Sequence, residues 1–248
     1  MVAAARAGAR ELIVTLGGSS TVDGGTGLAQ AAGVMFLDRA GRPLDEPLTG
    51  AHLDRIGGFR PPDPPLPPIT AACDVTNPLC GPHGAAIVYG PQKGASPAQV
   101  DRLDAALAAL AERLGVDPDT PGFGAAGGAG FGLATFLDAE LRGGADLVLE
   151  TVGFEPRCGD ADLVLTGEGR IDRQTRMGKA VSGVIDIARR HRVPVIAIAG
   201  EAAPGVTAWD GLAGIVDLTA DYGAERSRHE TRTVLAEAAE RVVRDRRP

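Results

Sequence analysis

Four times along the chain an apolar run stops at a loop that mixes glycine with polar side chains, and this punctuation restricts the fold more than any other feature. Residues 11–16 (ELIVTL) end at Gly17-Gly18, residues 69–75 at Asn77-Pro78, a third run at Gly90-Pro91, and residues 162–166 (DLVLT) at Gly167. The runs at 11–16 and 69–75 read as buried strands, the first of them parallel, and that at 162–166 as a strand, and strands that alternate with helical patterns form βαβ units. Further strands are expected at 193–199 and 214–218, and helices at 25–32, 133–141, 179–190 and 232–243. The clearest helix starts at Ser96-Pro97, a cap followed by proline at the first helical position, and stops at Gly115. Its Val100, Leu103, Leu107, Leu110 and Leu114 step by three and four, so they line one face and belong to the core. Residues 34–44 carry a hairpin turn, with Gly41 where positive φ is needed. Residues 167–178 read as a loop.

The predicted fold class is α/β, in two regions. Residues 1–155 form a mixed sheet with a hairpin and Gly-rich loops, and 156–248 a partial Rossmann-like parallel sheet. The second region supplies only about three strands where five or six are typical, so part of its sheet is expected to be missing. Residues 3–8 read as the tail of a helix, as if the chain began in mid-architecture.

With 248 residues, 44% hydrophobic and 23% charged, the chain has ample core for one or two globular domains. No apolar stretch approaches the roughly 20 residues of a membrane span, and no signal peptide is recognisable, so a cytoplasmic protein without a membrane partner is expected. Cys73, Cys80 and Cys158 are odd in number and lack a Cys-x-x-Cys spacing, which suits reduced thiols. A net charge of -7 argues against a nucleic-acid partner. The four histidines are structural by default, and the markers of zinc hydrolases and α/β-hydrolases are absent.

The cations are more informative. Of 25 basic residues only Lys93 and Lys179 are lysines, and both sit beside glycine. A compact ammonium next to bare backbone suits a phosphate, whereas the plain alternative is that exposed loops happened to receive them. The first loop, GGSSTVDGG at 17–25, offers Ser19, Ser20 and amides to an anion, with Asp23 as a hydroxyl acceptor, a cation ligand or simply a helix cap. In the second, Asp74 at a buried strand end is costly to desolvate without partners or a ligand. The fourth packs Glu168, Arg170, Asp172, Gln174, Thr175 and Lys179 between strand and helix, a density that no fold requirement explains. It is not a Walker loop, since Arg173 replaces the first glycine and Ala180 follows the lysine. Residues 122–127 match G-x-G-x-x-G but follow no strand, so these glycines read as a hinge or close backbone contact between the two regions.

Taken in order, GGSSTVDGGTG, ACDVTNPLCG, YGPQKGA, GFGAAGGAGFGL and LVLTGEGRIDRQTRMGKA resemble the bacterial glycerate kinase family. The chain matches the later two-thirds of a usual member, and the family's opening Asp-Ser-x-Lys-Gly and Ala-Asp-Gly-Gly-Glu-Gly motifs do not occur. The resemblance implies two α/β domains with a cleft between them, ATP and Mg2+ as cofactors, and glycerate as substrate. It implies that Glu168, Arg170, Asp172, Gln174, Thr175 and Lys179 form one polar loop, faced by Ser19, Asp23, Asp74, Asn77 and Lys93, with Ser20 among them. The family's usual Ala-Thr-Asn before the aspartate is Ser20-Thr21-Val22 here, so one amide donor is absent. Lys93, Lys179 and Arg170 would hold phosphate or carboxylate, Asp74 or Asp172 would orient the attacking hydroxyl, and metal ligands are not singled out. Asp74, Asp172 and Lys179 are the implied catalytic residues. An active kinase requires a closed cleft, through a homo-oligomer if another chain supplies it; a truncated, inactive relative and a dinucleotide-binding oxidoreductase are the alternatives.

Overall fold

The computed structural model describes residues 1–172, 180–204, 206 and 211–245, in two compact units, Met1–Gly144 and Ala145–Pro248. The first contains α1 (Val2–Arg6), β1 (Leu12–Thr15), α2 (Thr26–Ala31), β2 (Met35–Asp38), β3 (Ile56–Arg60), β4 (Ile69–Ala72), α3 (Ala85–Tyr89), α4 (Pro97–Leu114), α5 (Ala125–Leu137) and β5 (Glu140–Arg142). The second contains α6 (Gly144–Thr151), α7 (Phe154–Gly159), β6 (Val164–Ile171), α8 (Ala180–His191), β7 (Val195–Ala202), β8 (Leu212–Asp217), α9 (Leu218–Tyr222), α10 (Ala224–His229) and α11 (Thr231–Asp245). The α/β class holds in both units.

In the first unit β1, β4 and β5 form a parallel sheet in the order β1-β4-β5, and β2 pairs antiparallel with β3. The predicted turn at 38–41 is present, with Gly41 at φ 78, but only the single bridge Leu37 to Pro43 joins its two arms. The main partner of β2 is β3, which a local reading does not reach. The helix expected at 133–141 ends at Leu137, where Asp138 adopts φ 54, and residues 140–142 become the third strand instead. Glu140-Leu141-Arg142 has no β-branched residue, so its strand state comes from pairing with β4.

Helix α4 follows its sequence signals. Ser96 Oγ accepts from the Gln99 amide and Gln99 Oε1 from the Ser96 amide at 2.8 Å, a reciprocal cap, and Gly115 closes the far end at φ 66. Val100, Leu107 and Leu110 are buried, with Leu103 and Leu114 packed at the edge of the same cluster. Phe36, Phe131 and Phe136 meet there edge to face, with ring centroids 4.9 and 5.6 Å apart.

The second unit has a parallel sheet of β6-β7-β8 among the described residues. Along β7 the side chains alternate: Val195, Ala197 and Ala199 enter the cluster under α8, while Ile196 and Ile198 enter the one under α11. Both faces of this strand are therefore covered, as in doubly wound sheets. Strand β6 continues to Ile171, so the loop predicted from residue 167 begins later. Its glycines belong to the ladder: a Cβ on Gly167 would lie 2.6 Å from the Ile198 carbonyl, and one on Gly200 equally close to that of Gly169. Glycine signals close approach of neighbouring strands here, not a turn.

Candidate functional site

Because β1, β4 and β5 are parallel, their carboxyl ends share one edge, the place where open sheets receive ligands. Loop 17–25 leaves β1 at this edge, loop 73–78 leaves β4, and Gly144 follows β5.

Lys93 closes a single 3-10 turn, Pro91–Lys93, that Gly94 terminates at φ 90. Its ammonium donates to Ser19 Oγ and to the Thr21 carbonyl, each at 2.7 Å. The Ser19 hydroxyl in turn donates to the Ala126 carbonyl at 2.7 Å. Three separated sequence blocks thus meet at one lysine. Gly127 makes the meeting possible: a Cβ there would lie 2.0 Å from the Thr21 oxygen and 2.8 Å from Lys93 Nζ. Its neighbour Ala126 holds φ 53 without being glycine, a conformation that costs about 1–2 kcal/mol and tends to survive at functional sites. Burial lowers the Lys93 pKa below the ordinary lysine value, and the charge of Asp23 opposes that shift.

Asp23 is buried; its Oδ1 accepts from the Gly25 amide at 3.0 Å and its Oδ2 from Gly27 at 3.2 Å. The carboxylate is engaged at the start of α2, while its field reaches Lys93. Ser20, next along the same loop, is exposed. It lines a hollow of about 310 Å³ together with Lys93, Gly94, Gln99, Arg102 and Leu103.

In the second loop Asp74 Oδ1 accepts from the Gly144 amide at 2.8 Å. Asp74 is exposed, so the desolvation cost expected at that strand end does not arise. Asn77 is oriented at both ends of its amide, accepting from the Tyr89 hydroxyl and donating to the His83 carbonyl, both at 2.8 Å. Burial raises the pKa of the Tyr89 phenol and of the neighbouring Cys73 thiol. The Gly124 amide donates to the Asn77 carbonyl at 2.9 Å. The glycines of 122–132 are thus close backbone contacts, as expected, but with loops 17–25 and 73–78 of their own unit; this corrects their reading as a joint between the two regions.

Tyr89, Gly144, Gln99 and Arg102 were not singled out by sequence. Tyr89 opens the YGPQKGA block and was legible there; the other three carry no motif. In the second unit Glu168 and Arg170 lie on β6 and Asp172 just beyond it. Glu168 is half-buried beside a groove of about 600 Å³ that Thr166, Gly169 and Gly200 also line. Gln174, Thr175 and Lys179 lie outside the described residues.

Parallel strands with glycine-rich loops at their carboxyl ends, and a lysine and a hydroxyl gathered at that edge, define an α/β protein of the open-sheet kind. The chain belongs to the glycerate kinase family, whose model matches residues 1–247. A glycerate kinase from Halalkalibacterium halodurans is 46% identical over 210 residues, covering 81% of this chain and 55% of that protein. The glycerate 2-kinase of Escherichia coli is 41% identical over 234 residues, covering 89% of this chain and 60% of that one. A Salmonella typhimurium crystal structure assigned as glycerate kinase 2 superposes with a TM-score of 0.71 at 39% identity, over 96% of this chain and 67% of its own. The chain therefore spans little more than half the length of the curated relatives it matches. Nothing among these relatives supports the oxidoreductase alternative, and the glycine motif at 122–127 follows turn residues, not a strand. No helix among the described residues is long and apolar enough to cross a membrane.

Proposed function

We propose that this chain carries an ATP-dependent glycerate kinase activity, moving the γ-phosphoryl group of Mg-ATP to a hydroxyl of glycerate to give 2-phosphoglycerate and ADP in the cytoplasm. In such a transfer the hydroxyl oxygen bonds to the γ-phosphorus as the bridging bond to the β-phosphate breaks, and the hydroxyl proton leaves to a carboxylate or to water. Positioning and cations over the phosphates lower most of the barrier.

The observation that carries this reading is the convergence of Lys93, Ser19 and Thr21, in a member of this family, at the ligand-receiving edge of a parallel sheet. Lys93, Lys179 and Arg170 are the cations for phosphate or carboxylate, with Ser19, Ser20, Asn77, Glu168, Gln174 and Thr175 supplying polar contacts and Asp23 setting the field at Lys93. Asp74 or Asp172 orients the attacking hydroxyl. Among the described residues no group of three or more His, Cys, Asp or Glu side chains forms a metal cage. A magnesium ion that arrives on phosphates needs none, because it keeps several waters and takes one or two carboxylates.

A coupled assay of ADP release tests the reading on this chain and on a form extended at its N-terminus with the relatives' opening segment. ADP release that requires both glycerate and Mg2+ is expected. No release from either form overturns the kinase reading, and release from the extended form alone favours the inactive, truncated alternative.

A further inference from the structure

The hollow beside Lys93 is built from donors that the protein itself leaves unused. Among the described residues, Arg102 on α4 makes no hydrogen bond or ion pair, and the Ser20 hydroxyl has no partner. Gln99 spends only its Oε1, on the Ser96 amide, which leaves both Nε2 hydrogens available. Lys93 spends two of its three N–H bonds on Ser19 and Thr21. No carboxylate lines the hollow, so two cations and two neutral polar groups face it without a counter-charge.

We propose that this hollow is the subsite for the carboxylate of the acid substrate, with Arg102 as the residue that determines its specificity. The proposal rests on the kinase reading above and adds which pole of the substrate is held, and by what. A planar carboxylate takes two parallel N–H bonds from a guanidinium, which a lysine cannot offer. At about 310 Å³ the space lies at the small end of ligand pockets, suited to a compact acid and not to a nucleotide. Lys93 lines this hollow while it donates to Ser19 and Thr21 of loop 17–25, so its third N–H can serve the same small molecule.

Calorimetric titration of the full chain and its R102Q and R102K variants with glycerate and, separately, ATP tests this. Arg102 is exposed, so both variants are expected to fold as the parent does. R102Q should weaken glycerate binding about tenfold or more, R102K should recover part of the loss, and ATP affinity should stay within about twofold. Equal glycerate affinity in parent and R102Q overturns the subsite while leaving the kinase reading intact. Loss of ATP affinity with glycerate binding retained overturns the carboxylate assignment in favour of phosphate. A parent chain that binds ATP but no glycerate overturns the subsite and the kinase reading together.

Discussion

The ammonium of Lys93 rests 2.7 Å from the hydroxyl of Ser19, a residue 74 positions earlier in the chain. The contact joins the loop after β1 to the turn between α3 and α4, and through the Ala126 carbonyl it reaches the glycine-rich start of α5. One side chain thereby holds three of the blocks by which the sequence resembles its family.

Replacing Lys93 with methionine keeps the stem and removes this junction. Glycerate-dependent ADP release is expected to fall by about 100-fold or more, the usual loss of a donor aimed at developing charge. The melting temperature should drop by only a few degrees, since the group is half-exposed. Unchanged turnover would remove Lys93 from the site.

The pH dependence of stability has a definite sign at this position. Burial holds the folded pKa of Lys93 below the ordinary 10.5, so between that lowered value and 10.5 the unfolded chain binds more protons than the native one. Stability attributable to Lys93 therefore rises with pH through that window. Urea unfolding of the parent and Lys93→Met from neutral to alkaline pH should show the difference moving in the parent's favour; a flat difference would contradict the burial argument.

Gly127 and Gly18 make a matched pair, both at positive φ but in different surroundings. A Cβ on Gly127 collides with the Thr21 oxygen and crowds Lys93, whereas one on Gly18 meets nothing within 4 Å. Gly127→Ala should cost about 2–4 kcal/mol and depress activity, while Gly18→Ala should cost about 1 kcal/mol, the price of the backbone conformation alone. Denaturant midpoints of the two variants decide the matter.

Tyr89→Phe removes the hydroxyl that donates to Asn77 Oδ1. A loss of about 1 kcal/mol is expected from the bond itself. If the orientation of the Asn77 amide matters to substrate, KM for glycerate should rise several-fold with little change in kcat. Equal losses in both at unchanged stability would assign Tyr89 a different role.

Local signals carried a large part of this fold. The cap, stripe and terminal glycine of α4 lie within a few residues of one another, so their physics is complete in the sequence, and the observed ends match it. Strand β4, buried along its whole length, and most of β7 were legible because burial on both faces demands an uninterrupted apolar run, whereas β1, also expected to be buried, and β6 leave Ile13 and Leu165 exposed. The blocks around Ser19 and Lys93 could likewise be read as candidates for an anion from residue type alone.

Which of those blocks touch was decided only in three dimensions. Strand β5 exists because β4 offers it a ladder, and β2 passes over its own hairpin arm to pair with β3. Glycines 124 and 127 read locally as a hinge or a close backbone contact, and their absent side chains make room for backbone carbonyls from loops that the sequence does not name. Gly144 and Arg102 have no pattern to betray them, since each acquires its part from a neighbour distant in sequence or from a shared hollow. Residue type and short-range spacing specify what a segment is able to offer; the closing of long chain loops, at an entropic cost that packing repays, specifies to whom.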